Sequence, residues 1–90
     1  MPTIHLLIKG KVQGVNYRAS ARNRAIQSGL TGWVRNTREG HVEAMVTGEE
    51  EALRQFIQWC RRGPALAVVS DVEQQLVPDV SFEGFSIRRD

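Results

Sequence analysis

The chain has 90 residues, 41% of them hydrophobic, which makes one domain with a single core and excludes a second. Twelve basic residues against ten acidic leave a net charge of +2, too small a surplus to argue by itself for nucleic acid, though ten of the twelve are arginines, which suit planar anions. A lone cysteine, Cys60, excludes an internal disulfide and any metal site built on several thiolates, and no apolar run approaches the length of a membrane span. The N-terminus shows no basic segment followed by a long apolar stretch, so no signal peptide is expected and a cytoplasmic location is.

Thr3 to Lys11 predicts a strand, with Ile4, Leu6 and Ile8 alternating against His5, Leu7 and Lys9. Leu7 interrupts the alternation and predicts a central strand covered on part of its second face. A loop with Gly10 and Gly14 follows. Tyr17 to Ser28 predicts a helix whose thin stripe, Tyr17, Ala21 and Ala25, requires close packing on a sheet, with Gly29 after its end. Gly32 to Asn36 and His41 to Thr47 predict two strands joined by Thr37-Arg38-Glu39-Gly40. So short a link makes them an antiparallel hairpin. Thr47-Gly48-Glu49-Glu50 matches a capping box. Leu53, Phe56, Ile57 and Cys60 then fall at helical spacing, and Gly63-Pro64 stops that helix. Val68 to Val77 predicts a fourth strand, Pro78 to Gly84 a loop, and Phe85 and Ile87 a short last strand.

The order β-α-β-β-α-β, with a small extra C-terminal strand, predicts an α+β fold over residues 1–90. It is a ferredoxin-like α/β sandwich with two helices on one face of an antiparallel sheet. Right-handed crossover makes the first two strands parallel, with the third between them. Their C-terminal ends then share one edge of the sheet, about 10 Å apart. The glycine loop and Arg18 follow the first strand, and Asn36 ends the second. The fold thus brings together a loop able to form an anion nest, a helix N-terminus, a forked cation and one amide. Read alone, the loop is equally a tight strand-to-helix turn with a solvated arginine. It lacks the third glycine of a dinucleotide fingerprint and the Gly-Lys-Ser/Thr of a Walker loop. No Ser-His-Asp set, Cys-His pair or tight carboxylate pair is visible. What remains suits cleavage of an already activated phosphate, where positioning and electrostatics suffice.

At these residues the chain resembles the acylphosphatases. Gly10-x-Val12-Gln13-Gly14-Val15-x-Tyr17-Arg18 is similar to that family's first signature. Gly32-Trp33-Val34-Arg35-Asn36-x-x-x-Gly40-x-Val42-Glu43 is similar to its second, and Gly48 falls where the family keeps a glycine. Gly63-Pro64 and Phe85-Ser86-Ile87-Arg88-Arg89 resemble its bacterial members. The resemblance implies hydrolysis of the carboxyl–phosphate bond of a small acyl phosphate, without metal, organic cofactor or covalent intermediate; nothing in the sequence demands more than a monomer. It implies that Arg18 binds the phosphate and that the backbone amides of Gln13, Gly14, Val15, Asn16, Tyr17 and Arg18 cradle it. Asn36 would hold the attacking water. The departure is Asn16, where many members carry an apolar residue, which bears on loop packing or substrate preference.

Each of these residues has a plainer reading. Arg18 is otherwise a solvated helix arginine, Asn36 a turn residue, and Gln13 a loop side chain contributing mainly through its backbone. His5 and His41 lack a third ligand and read as exposed or hydrogen-bonded strand residues. Cys60 reads as an inert core thiol, Trp33 as sheet packing, and Arg61-Arg62 and Arg88-Arg89 as solvated pairs. Two rivals use the same topology. One is an RNA-binding module of RRM type, against which the first and third strands lack stacking aromatics. The other is a catalytically silent binding domain, against which Arg18 and Asn36 stand intact.

Overall fold

Alternation in the first apolar run becomes strand β1, Thr3–Lys11, with Ile4, Leu6 and Ile8 buried. The computed structural model describes residues 1–89. The remaining elements are α1 (Tyr17–Gln27), β2 (Thr31–Asn36), β3 (Val42–Thr47), α2 (Glu50–Arg62), β4 (Val68–Val77) and β5 (Phe85–Arg88). The sheet runs β4-β1-β3-β2-β5. β1 pairs antiparallel with β3 and β4, and β3 pairs antiparallel with β2. The short last strand adds a parallel pairing at the edge, with Val34 opposite Ile87. β3 lies between β1 and β2, as the crossover argument requires.

The core forms between one sheet face and the two helices. β1, β3 and β2 supply Leu6, Ile8, Val42, Val46 and Val34, all nearly sealed from solvent. Burial of each such side chain contributes about 1.5–3 kcal/mol. On α1 the buried residues are Tyr17, Ala21 and Ala25. Two alanines in that stripe let the helix backbone approach the sheet. On α2 they are Leu53, Phe56, Trp59 and Cys60. Ile57, which the spacing puts in the same stripe, is only partly buried, and Trp59 takes its place beside Tyr17, with ring centroids 5.4 Å apart.

Three boundaries move by one residue: α1 stops at Gln27, β2 starts at Thr31 and β3 starts at Val42. The capping box is a larger difference. Thr47 does not cap α2; it is the last residue of β3, paired with Thr3 on one side and Thr31 on the other. Its hydroxyl lies 2.6 Å from that of Thr3 and donates to the Val80 carbonyl at 2.7 Å. Sheet pairing takes that side chain away from the helix. Glu49 occupies the cap position without a side-chain bond, and Glu50 and Glu51 in the first turn interact favourably with the positive end of the helix dipole.

Among the described residues no helix or strand layer covers the second sheet face. Leu7 is half-buried there among His5, Arg35 and Glu43, so its partial cover comes from neighbouring long side chains. No helix among the described residues is long and apolar enough to cross a membrane.

Candidate active site

The loop between β1 and α1 is shaped by backbone demands at three residues. At Gly10, φ is +125° and the pairing of β1 with β4 slips. A Cβ there would lie 2.2 Å from the Val68 carbonyl oxygen, so only bare backbone fits. At Gly14, φ is +74°, yet a Cβ would meet nothing within 4 Å. Conformation, not space, requires glycine here. Asn16 is the one non-glycine residue with positive φ among those described, at φ 66° and ψ 25°, and it caps α1. Asparagine tolerates this region better than an apolar residue does. Its carbonyl accepts from Ser20 N at 3.2 Å, the first turn of the helix.

The loop is held from beneath. Val12 and Val15 are buried in the core. Tyr17 is buried too, and its hydroxyl donates to the Cys60 carbonyl at 2.7 Å, tying the start of α1 to the end of α2. Burial drives the Tyr17 phenol far above its ordinary range, with the neighbouring Cys60 adding to the shift, so the hydroxyl stays protonated. Burial likewise pushes the Cys60 thiol up to about 12, which leaves no thiolate for chemistry.

At this end of the sheet lies a cleft of about 220 Å³. Gly14, Asn16, Tyr17 and Arg18 line one side, and Asn36 stands on the other. The Oδ1 of Asn36 is buried and has no hydrogen-bond partner among the described residues. The two halves that were expected to converge, the loop with Arg18 and the end of the second strand, therefore share one cleft. Gln13 and Val15 are not among its lining residues. The Val15 side chain enters the core, and the Gln13 side chain leaves sideways. Its Nε2 donates to the carbonyls of Thr37 at 2.8 Å and His41 at 2.9 Å.

Sequence reasoning missed two features. Gln13, expected to contribute mainly through its backbone, also has its side chain bonded to the turn after β2. Topology was the available signal, since it already put the loop beside the hairpin turn. Arg89, read from sequence as solvated, lines the cleft together with Ile87. No local pattern marks it; it arrives because β5 runs parallel to β2.

A second hollow, of about 520 Å³, opens on the uncovered sheet face, and Asn36 lies on the rim of both. Here Glu43 accepts at Oε1 from Arg35 Nε and at Oε2 from His5 Nε2, each at 2.6 Å. Burial pushes the Glu43 carboxyl up, but the bonds from His5 and Arg35 together outweigh it and hold the group below its ordinary value. His41 joins no cluster: among the described residues no three His, Cys, Asp or Glu side chains are placed to hold a metal. The Trp33 ring on this face is covered by the Arg88 guanidinium, 4.7 Å from its centroid. That arrangement occupies the ring face a base would stack on.

A family model described as Acylphosphatase matches residues 4–87. An acylphosphatase of Methylococcus capsulatus is 44% identical over 91 residues, spanning 100% of this chain and 99% of its own. An acylphosphatase of a Roseiflexus species is 47% identical over 88 residues, spanning 97% of this chain and 95% of its own. Among solved structures, the acylphosphatase from Bacillus subtilis superposes with a TM-score of 0.95 at 30% identity, covering 98% of this chain and 99% of that one.

Proposed function

Because the chain belongs to the acylphosphatase family and is a hydrolase of acyl phosphates, we propose how its residues divide that work. Arg18 and the backbone amides of Gln13 to Arg18 bind the phosphoryl oxygens. The guanidinium fork and the helix N-terminus both favour an anion there. Asn36 accepts a hydrogen bond from a water and aims it at phosphorus. The water oxygen bonds to phosphorus as the bond to the acyl oxygen breaks. The electron pair leaves with the carboxylate, and the water's proton passes to a phosphoryl oxygen. A carboxylate is a good leaving group, so no general acid is needed, and a metal has no part in this scheme. The products are a carboxylate and inorganic phosphate.

The observation that carries this reading is the Asn36 carbonyl oxygen. It is buried, has no hydrogen-bond partner among the described residues, and belongs to a residue that lines the cleft with Arg18. An unsatisfied buried acceptor costs about 1–3 kcal/mol. A water or ligand donor would remove that cost. The same reading has the chain act as one domain, a cytoplasmic monomer with no nucleic-acid partner. The covered face of Trp33 supports the last point.

The test is hydrolysis of benzoyl phosphate with excess chelator. Wild type, Arg18→Ala and Asn36→Ala are assayed together, with circular dichroism confirming the fold of each. Activity that survives chelation in wild type and collapses in both variants is the expected result. A folded Arg18→Ala protein with unchanged kcat/KM overturns the assignment.

A further inference from the structure

Gln13 sits in the anion loop but does not face the cleft. An amide –NH2 has two hydrogens to give. Gln13 gives both to one turn, at Thr37 O and His41 O. That turn is already closed by its own bonds. Thr37 N donates to His41 O at 2.9 Å, and His41 N donates to Thr37 Oγ1 at 3.1 Å. Thr37 follows Asn36 directly in the chain. The Gln13 side chain therefore grips a pre-closed turn one peptide away from Asn36.

The topology explains why such a grip matters. β1 and β2 are not neighbours; β3 separates them. The loop after β1 and the end of β2 stand two strand spacings apart, about 10 Å, with no backbone ladder between them. Attack on phosphorus tolerates little error, since misplacement by about 1 Å can cost about 10²-fold in rate. The loop itself is anchored by buried Val12, Val15 and Tyr17, independently of the Gln13 side-chain bonds.

We propose that the Gln13 side chain is a positioning residue that sets the distance between the phosphate loop and Asn36, and so the place of the attacking water relative to phosphorus. This rests on the roles assigned above to Arg18 and Asn36. Gln13 touches no substrate through its side chain; it acts through Asn36. Only a double donor of this length fits. Glutamate would present an oxygen to two carbonyl oxygens, and methionine would fill the space without donating.

Gln13→Met and Gln13→Glu test this, with Met preserving the packing if Glu fails to fold. With benzoyl phosphate, kcat per folded molecule should fall about 10–10²-fold, while inhibition by inorganic phosphate stays within about twofold of wild type. The double variant Gln13→Met, Asn36→Ala should be no slower than Asn36→Ala alone, because the two residues act in series. Unchanged kcat in folded Gln13→Met overturns the proposal. So does a loss carried wholly by weaker phosphate inhibition, which would make Gln13 a support of the loop alone. So does full additivity in the double variant. If Asn36→Ala is itself fully active, the fault lies in the site assignment; if Asn36→Ala is crippled and Gln13→Met is not, it lies here.

Discussion

The molecule has two hollows on either side of Asn36, and they differ in kind. The one on the open sheet face is the larger, about 520 Å³ against about 220 Å³. It also holds more ionisable side chains. Yet its central carboxylate is fully engaged, Glu43 taking one bond from Arg35 and one from His5. The smaller cleft adds an arginine and a loop with positive φ at Gly14 and Asn16 to the residue the two hollows share, Asn36, whose buried amide oxygen has no partner among the described residues. Size and charge count do not separate a site from a surface. The proposed site rests instead on unspent hydrogen-bonding capacity beside a backbone of positive φ.

Substitutions can break or sharpen this contrast. The largest effect is expected from Arg18→Ala, a loss of about 10³-fold or more in kcat/KM with the melting temperature nearly unchanged. Steady-state kinetics beside a thermal melt decides it. Asn36→Ala should lower kcat by about 10²–10³-fold while inorganic phosphate still inhibits normally. A parallel weakening of phosphate would erase the division of roles. Gly14→Val forces a β-branched residue to φ +74°. That should destabilise the chain by about 1–2 kcal/mol and abolish the rise in melting temperature expected when phosphate is added to the wild type. An undistorted loop with bound phosphate in a crystal of that variant would refute the conformational argument.

The smallest effect belongs to the other hollow. Glu43→Gln should leave kcat/KM within about twofold and cost about 1 kcal/mol, a few degrees of melting temperature. Its pH dependence has a defined sign. The folded-state pKa of Glu43 lies below the ordinary value of 4.5. Its stabilising contribution is therefore present above that value and is lost as pH falls through the folded-state value. Urea denaturation of both proteins at neutral pH and again well below pH 4.5 should show the gap closing in acid. A large activity loss in Glu43→Gln would collapse the distinction between the hollows.

Much of this was legible from residues. Alternation marked β1, helical spacing marked α2, and the crossover rule put Arg18 and Asn36 at one edge. The rest depended on partners far along the chain. Thr47 looks like a helix cap from its neighbours, but Thr3 and Val80 claim its hydroxyl. Gln13 finds its acceptors 24 and 28 residues away, in a turn that no periodicity links to it. Arg89 reaches the cleft only through a strand pairing that its own short segment does not announce. Local propensity describes elements; it is silent on which side chains meet across them.

The placement of β1 has a consequence in time. This strand leads into the β1–α1 loop, yet both its partners come much later: Thr3 lies opposite Thr47 on one side and Val77 on the other. As the chain is synthesised, the loop, Arg18 and Asn36 exist for some while beside an unpaired strand. The cleft gains its last wall only when β5 docks against β2. Contacts so distant in sequence fold slowly. A nascent chain should therefore stay inactive until β5 is free to pair with β2, which makes activity a reporter of that pairing.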